Sequence, residues 1–156
     1  VTDVSTYPAV RAALVARFEA TLNGETDPPV TYGDPGRQVP PRYVAVASTT
    51  GPVTHAIKRL PHDATTSVDE DYGLEVVFWS LVKNQNTPQA GQQAAEDVWE
   101  IARRLDESLR ASIDAYTLGG LVTWAYFSEF VPDDFTLSEG RASQIVATVT
   151  VKAARI

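Results

Sequence analysis

His55 and His62 are the only imidazoles in the chain, and there is no cysteine. Seven residues apart, the two histidines do not share a helix face, and no third ligand follows at zinc spacing. They read as surface histidines. Asp69, Glu70 and Asp71 form an acidic run, but it lacks the alternating Asp/Asn ligands, central Gly and terminal Glu of a calcium loop. A solvated or partner-facing run fits it better. Asp133 and Asp134 follow Pro132 and read as turn residues. No G-x-S-x-G, phosphate-binding loop, G-x-G-x-x-G or H-E-x-x-H occurs. Without thiols and with two isolated imidazoles, a nucleophile and base have few candidates. The expectation is a non-enzyme without metal or cofactor, although a carboxylate pair assembled by the fold stays open.

The elements that would position any site are easier to read. Val10, Leu14, Phe18 and Leu22 recur at helical spacing, with Pro8 in the first turn and Asn23-Gly24 as the stop. Asp27-Pro28-Pro29 breaks the chain before short strands at 30–32 and 43–48. Residues 74–82 are rich in Val, Phe and Trp and read as the strongest strand. Thr87-Pro88 then opens a helix to about Ala111, with Ala94, Val98, Ile101, Leu105 and Leu109 as its buried stripe. Glu100–Arg104 and Asp106–Arg110 are spaced as pairs on its wet face. Further strands are expected at 121–130, ended by Pro132, and at 145–153. The order is α-β-β-β-α-β-β. It predicts an α+β two-layer sandwich of about five mainly antiparallel strands with two helices on one face.

Two segments fit that scheme poorly. Residues 49–72 hold two prolines, the basic pair Lys58 and Arg59 and the acidic Asp69, Glu70 and Asp71, without an apolar period. They read as a long projecting loop or irregular hairpin, a partner-contact arm that orders against a neighbour. The strands also show too many apolar residues for a sheet with one wet face. Leu74, Val76 and Phe78 alternate with Val77, Trp79 and Leu81, while Val122, Trp124, Tyr126 and Phe130 stand opposite Leu121, Ala125 and Phe127. An apolar second face needs a cover. The long loop or a terminus, a neighbouring subunit through Val77, Trp79 and Leu81, or a small-molecule groove would each supply one.

Composition bounds the partners. With 20 Asp and Glu against 13 Lys and Arg, the formal charge is −7, and no basic stripe marks a nucleic-acid surface. At 156 residues, 44% hydrophobic and 21% charged, the chain fits one folded domain over 1–156. No apolar run approaches the roughly 20 residues of a membrane helix. The opening Val-Thr-Asp-Val-Ser has no signal-peptide pattern, and Val1 in a chain without Met reads as following a removed initiator.

The pattern resembles the tail terminator (tail completion) proteins of long-tailed bacteriophages. The likeness rests on the helix at Val10-Arg11-Ala12-Ala13-Leu14, the strand ending in Tyr32-Gly33-Asp34-Pro35 and the strand Leu74-Glu75-Val76-Val77-Phe78-Trp79-Ser80. The helix 94–109 and the closing strand Ile145-Val146-Ala147-Thr148-Val149 complete it. The resemblance implies a two-layer α+β domain that forms a ring, most often of six subunits. It implies a virion protein of the tail or neck, made in the host cytoplasm, that caps the tail tube and offers a surface for head joining. Its partners would be itself, the tail tube protein and the head-tail connector, with DNA only passing through the lumen and no membrane. A neck or tube protein of the same phage class is the alternative, and a small α+β ligand-binding domain or enzyme the more distant one. No short motif assigns a contact to a residue.

Overall fold

Val10, Leu14 and Phe18 are wholly buried along one side of α1 (Tyr7–Thr21), as their spacing requires. The computed structural model describes residues 4–59 and 66–155. After α1 come β1 (Val30–Tyr32), β2 (Arg42–Thr49), β3 (Thr54–Arg59) and β4 (Thr66–Lys83). The helices α2 (Pro88–Arg110) and α3 (Ile113–Tyr116) follow, then β5 (Trp124–Leu137) and β6 (Gly140–Arg155). The architecture is α+β, an open, mostly antiparallel sheet ordered β1-β2-β4-β6-β5, with β3 also paired to β4. Only β1 and β2 run parallel. Among the described residues no helix is long and apolar enough to cross a membrane.

The core lies between the helices and one face of the sheet. From β4 it takes Tyr72, Leu74, Val76 and Phe78, and from β6 Ile145, Ala147, Val149 and Val151. These pair across the ladder as Phe78–Ile145, Val76–Ala147, Leu74–Val149 and Tyr72–Val151. Helix α2 covers them with Ala94, Val98, Ile101, Leu105 and Leu109. Its start is secured by Thr87, whose hydroxyl accepts from the Ala90 N–H at 3.2 Å. Three polar ties orient it: Arg104 to Asp27 at 2.7 Å, Arg42 to Asp97 at 2.7 Å, and Thr21 to Ser108 at 2.9 Å. Arg104 therefore does not pair with Glu100 as its spacing predicts; Arg103 takes Glu100 and Glu107, and Arg110 takes Asp106. Arg104 beside Asp27 and the Gly24 N–H hold the Asp27 carboxyl below its usual value.

Much of the segment 49–72 is a paired extension of the sheet, with a bend at 50–53 before β3. β3 zips against the first half of β4, from Thr54–Asp71 to Arg59–Thr66. Its described strands lie in the plane of the sheet and not across the second face. Strand β4 is correspondingly longer than its apolar run at 74–82. A charged residue, Glu70, occupies the inward position two before Tyr72 and hides the alternation.

Strand β5 also differs from its predicted span. It runs straight through Pro132, which pairs in register with Ile145. β5 is a sheet edge, so a missing N–H on its outer side leaves no ladder bond broken. Asp133 and Asp134 are thus strand residues, not turn residues. A bulge between Phe127 and Glu129 exchanges the strand's two sides. Phe130 consequently points inward, stacking on Phe127 with ring centroids 5.4 Å apart, and does not join Trp124 and Tyr126. At the β5–β6 turn only glycine fits position 140: a Cβ there would come within 2.0 Å of the Val82 carbonyl oxygen.

Candidate interaction surface

The sheet's outer face is built from the residues out of step with the core. Trp79 sits between Tyr43 on β2 and Phe135 on β5, with ring centroids 6.4 and 5.7 Å away. Val77, Trp79 and Leu81 are each half-buried. The three predicted interface residues therefore lie together on one face, but the aromatic rings partly shield one another. Burial, then the charge of Asp34, pushes the neighbouring Tyr43 phenol up.

More exposed apolar surface lies further along, at the β5 margin. Trp124 is 41% exposed, Tyr126 42% and Val131 51%. Trp99 of α2, 43% exposed, leans on Phe130 from the helical side with centroids 5.9 Å apart. The Lys152 ammonium lies 5.5 Å from the centre of the Trp124 ring. Beside these rings, Glu129, Asp133 and Asp134 are exposed and make no ion pair among the described residues. The Trp124 and Tyr126 alternation is visible in the sequence. Val131 is not, because Pro132 reads as a strand end, and Trp99 sits on a helix whose stripe looks complete without it.

The acidic run separates into residues with different company. Glu70 is fully buried on the inner side of β4. Its carboxylate accepts from the Thr6 N–H at 2.8 Å, from the Thr6 hydroxyl, and interacts with His55 Nε2 at 2.7 Å. Burial pushes the carboxyl up, but the bonds from Thr6, His55 and Ser5 outweigh it and hold Glu70 below its usual 4.5. Glu70 is thus a structural tie between the N-terminal segment and the hairpin, not a partner-contact residue. Asp69 and Asp71 flank it on the opposite side of the strand. Lys58 and Arg59 lie in β3, in register with Ser67 and Thr66. His62 lies outside the described residues.

The tie at Glu70 has no catalytic order. The carboxylate stands between hydroxyl and imidazole, so His55 is not placed to take a proton from Thr6. The same Thr6 hydroxyl lies 3.0 Å from that of Tyr72, whose phenol burial drives upward. Among the described residues, no group of three or more His, Asp or Glu could hold a metal. A groove of about 400 Å³ between β4 and α2 is lined by Arg42, Ser80, Leu81, Val82, Gln93 and Asp97. Its two charged groups are spent on each other in two bonds of 2.7 Å.

No protein-family model matches the chain, and no curated protein sequence matches it. Among solved structures, the virion of native gene transfer agent (GTA) particle has a chain similar over 97% of this one and 100% of its own, at 11% identity and a TM-score of 0.40. A likeness that loose carries no argument about this chain.

Proposed function

We propose that the chain is a virion structural protein that works through its surfaces and catalyses nothing. The observation that carries this reading is the β5 margin, where Trp124, Tyr126 and Val131 stand exposed on the outer face and Trp99 on the helical side, beside three carboxylates that make no ion pair among the described residues. Exposed aromatic clusters rimmed by charge mark surfaces that a partner covers. The sequence resemblance supplies the finer role, a tail terminator. In that role, copies form a ring, the ring docks on the last ring of the tail tube, and no surface remains for another tube subunit. The opposite side of the ring then meets the head-tail connector. The inhibition of growth is steric.

The test is electron microscopy of particles assembled with and without the chain. Loss of a terminator yields tubes of uncontrolled length that lack heads. Tubes of normal length without heads would instead identify a neck protein, and absence of tubes a tube subunit. A chain whose loss leaves complete particles has no such role.

A further inference from the structure

Four registered rows on the outer face of the sheet form a patch that the core does not use. Across β4, β6 and β5 they read Glu75–Thr148–Glu129, Val77–Val146–Val131, Trp79–Gln144–Asp133 and Leu81–Ala142–Phe135. β2 borders the patch with Tyr43 beside Trp79 and Ala45 beside Val77. The second row is wholly apolar, and Val131, 51% exposed, is bracketed on its own strand by Glu129 and Asp133. With about 4.8 Å between strands, Glu75 and Glu129 stand roughly 10 Å apart on either side of Thr148. Glu75, Glu129 and Asp133 make no ion pair among the described residues, and these rows hold no cation. Lysines stand only outside them, Lys83 beyond the Leu81 row and Lys152 two rows before Glu75. The free edge of β5 is guarded against strand addition by the bulge between Phe127 and Glu129 and by Pro132, which has no N–H to offer. What this margin offers a partner is its face.

We infer that this patch docks a basic segment of a different protein, with an apolar side chain seated over the valine row and Lys or Arg side chains reaching Glu75, Glu129 and Asp133. The apolar row supplies the area that leaves water, and the carboxylates supply register and a faster encounter. A cation arriving at these carboxylates breaks no ion pair already made. A second copy laid face to face is disfavoured, because each copy brings three carboxylates and no cation to the contact. Nucleic acid is disfavoured on the same ground, since its phosphates would meet carboxylates. The inference rests on the virion reading above and gives the partner in that reading a chemistry.

The test places a photoreactive p-benzoylphenylalanine at Val131. The chain, confirmed folded by circular dichroism, is assembled into particles and irradiated. The expected product is an adduct with a different virion protein, mapped by mass spectrometry to a segment that carries Lys or Arg beside the linked position. Reversal of Glu129 and Asp133 to Lys in the same chain should cut the adduct at least tenfold. Reversal of the mapped Lys or Arg to Glu in the partner should then restore it. Glu129→Gln with Asp133→Asn should cut it at least threefold, and decides the matter where the reversed chain misfolds. An adduct with another copy of this chain, or with a segment that carries no cation, overturns the inference. So does a yield that these substitutions leave unchanged, or no adduct in particles that contain the chain. The two readings fail separately. A chain whose loss leaves complete particles sinks the virion role, while irradiation in the producing cells still reads the contact. There, an adduct on an identified basic segment keeps the contact, and no adduct overturns it.

Discussion

On β4, Tyr72, Leu74, Val76 and Phe78 are buried under the helices, while Glu75, Val77, Trp79 and Leu81, one residue out of step, are only half-covered. Both series contain large apolar side chains, so hydrophobicity alone does not tell them apart. What separates them is company. The inner series meets α1 and α2 and a matching series on β6. The outer series meets only its own neighbours, chiefly Tyr43 and Phe135 around Trp79. The contrast shows that one strand can serve stability on one side and stay partly open on the other.

The contrast is breakable by substitution. Phe78→Ala should cost the most, about 3–5 kcal/mol, since a fully buried ring leaves a cavity among packed neighbours. Urea unfolding measures it. Glu70→Ala should follow, at about 2–3 kcal/mol, because the Thr6 N–H and hydroxyl and His55 lose their acceptor. The same carboxylate sets a pH limb. Its folded value lies below 4.5, so its stabilisation is present above that pH and is lost as the pH falls through the depressed value. Denaturation followed across that range should show the limb, and Glu70→Gln should shrink it to the part that Asp27, also held below its usual value, contributes.

Smaller effects belong to the outer side. Trp79→Ala should cost about 1–2 kcal/mol, the worth of two half-exposed aromatic contacts. A loss as large as that of Phe78 would mean that the outer cluster is a second core and end the comparison. Least of all, Glu129→Gln should move stability by under about 0.5 kcal/mol, as an exposed residue without a partner among the described residues. Its effect should appear in sedimentation, as a change in self-association without a change in thermal midpoint.

Both long helices were readable because their apolar residues recur at turns of the helix and their ends carry Thr87-Pro88 and Asn23-Gly24. β6 was readable because inward Ile145, Ala147, Val149 and Val151 alternate with Thr148, Thr150 and Lys152. β3 and the first half of β4 were not, because the inward position goes to Glu70, whose donors come from Thr6 and His55, distant in sequence. Nor was the far half of β5 readable. Pro132 normally ends a strand, and only the tertiary position of that strand at a sheet edge permits it to continue. The same limit applies to the candidate surface. Trp124 and Tyr126 stood out by alternation, while Trp99 reaches the β5 strand only from the helical side, through the packing of α2 on Phe130.

The ladder between β4 and β6 runs without interruption from Val68–Arg155 to Lys83–Gly140. At about 3.4 Å per residue it is roughly 50 Å long, against a diameter of roughly 40 Å for a sphere with the radius of gyration of a compact chain of this length. In mechanical terms this is a beam that overshoots the body it supports. A load applied at the hairpin end is carried along continuous backbone hydrogen bonds to the turn at Asn84, whose N–H bonds the Glu139 carbonyl at 2.7 Å. An uninterrupted ladder thus gives a push at one end a continuous path to the other.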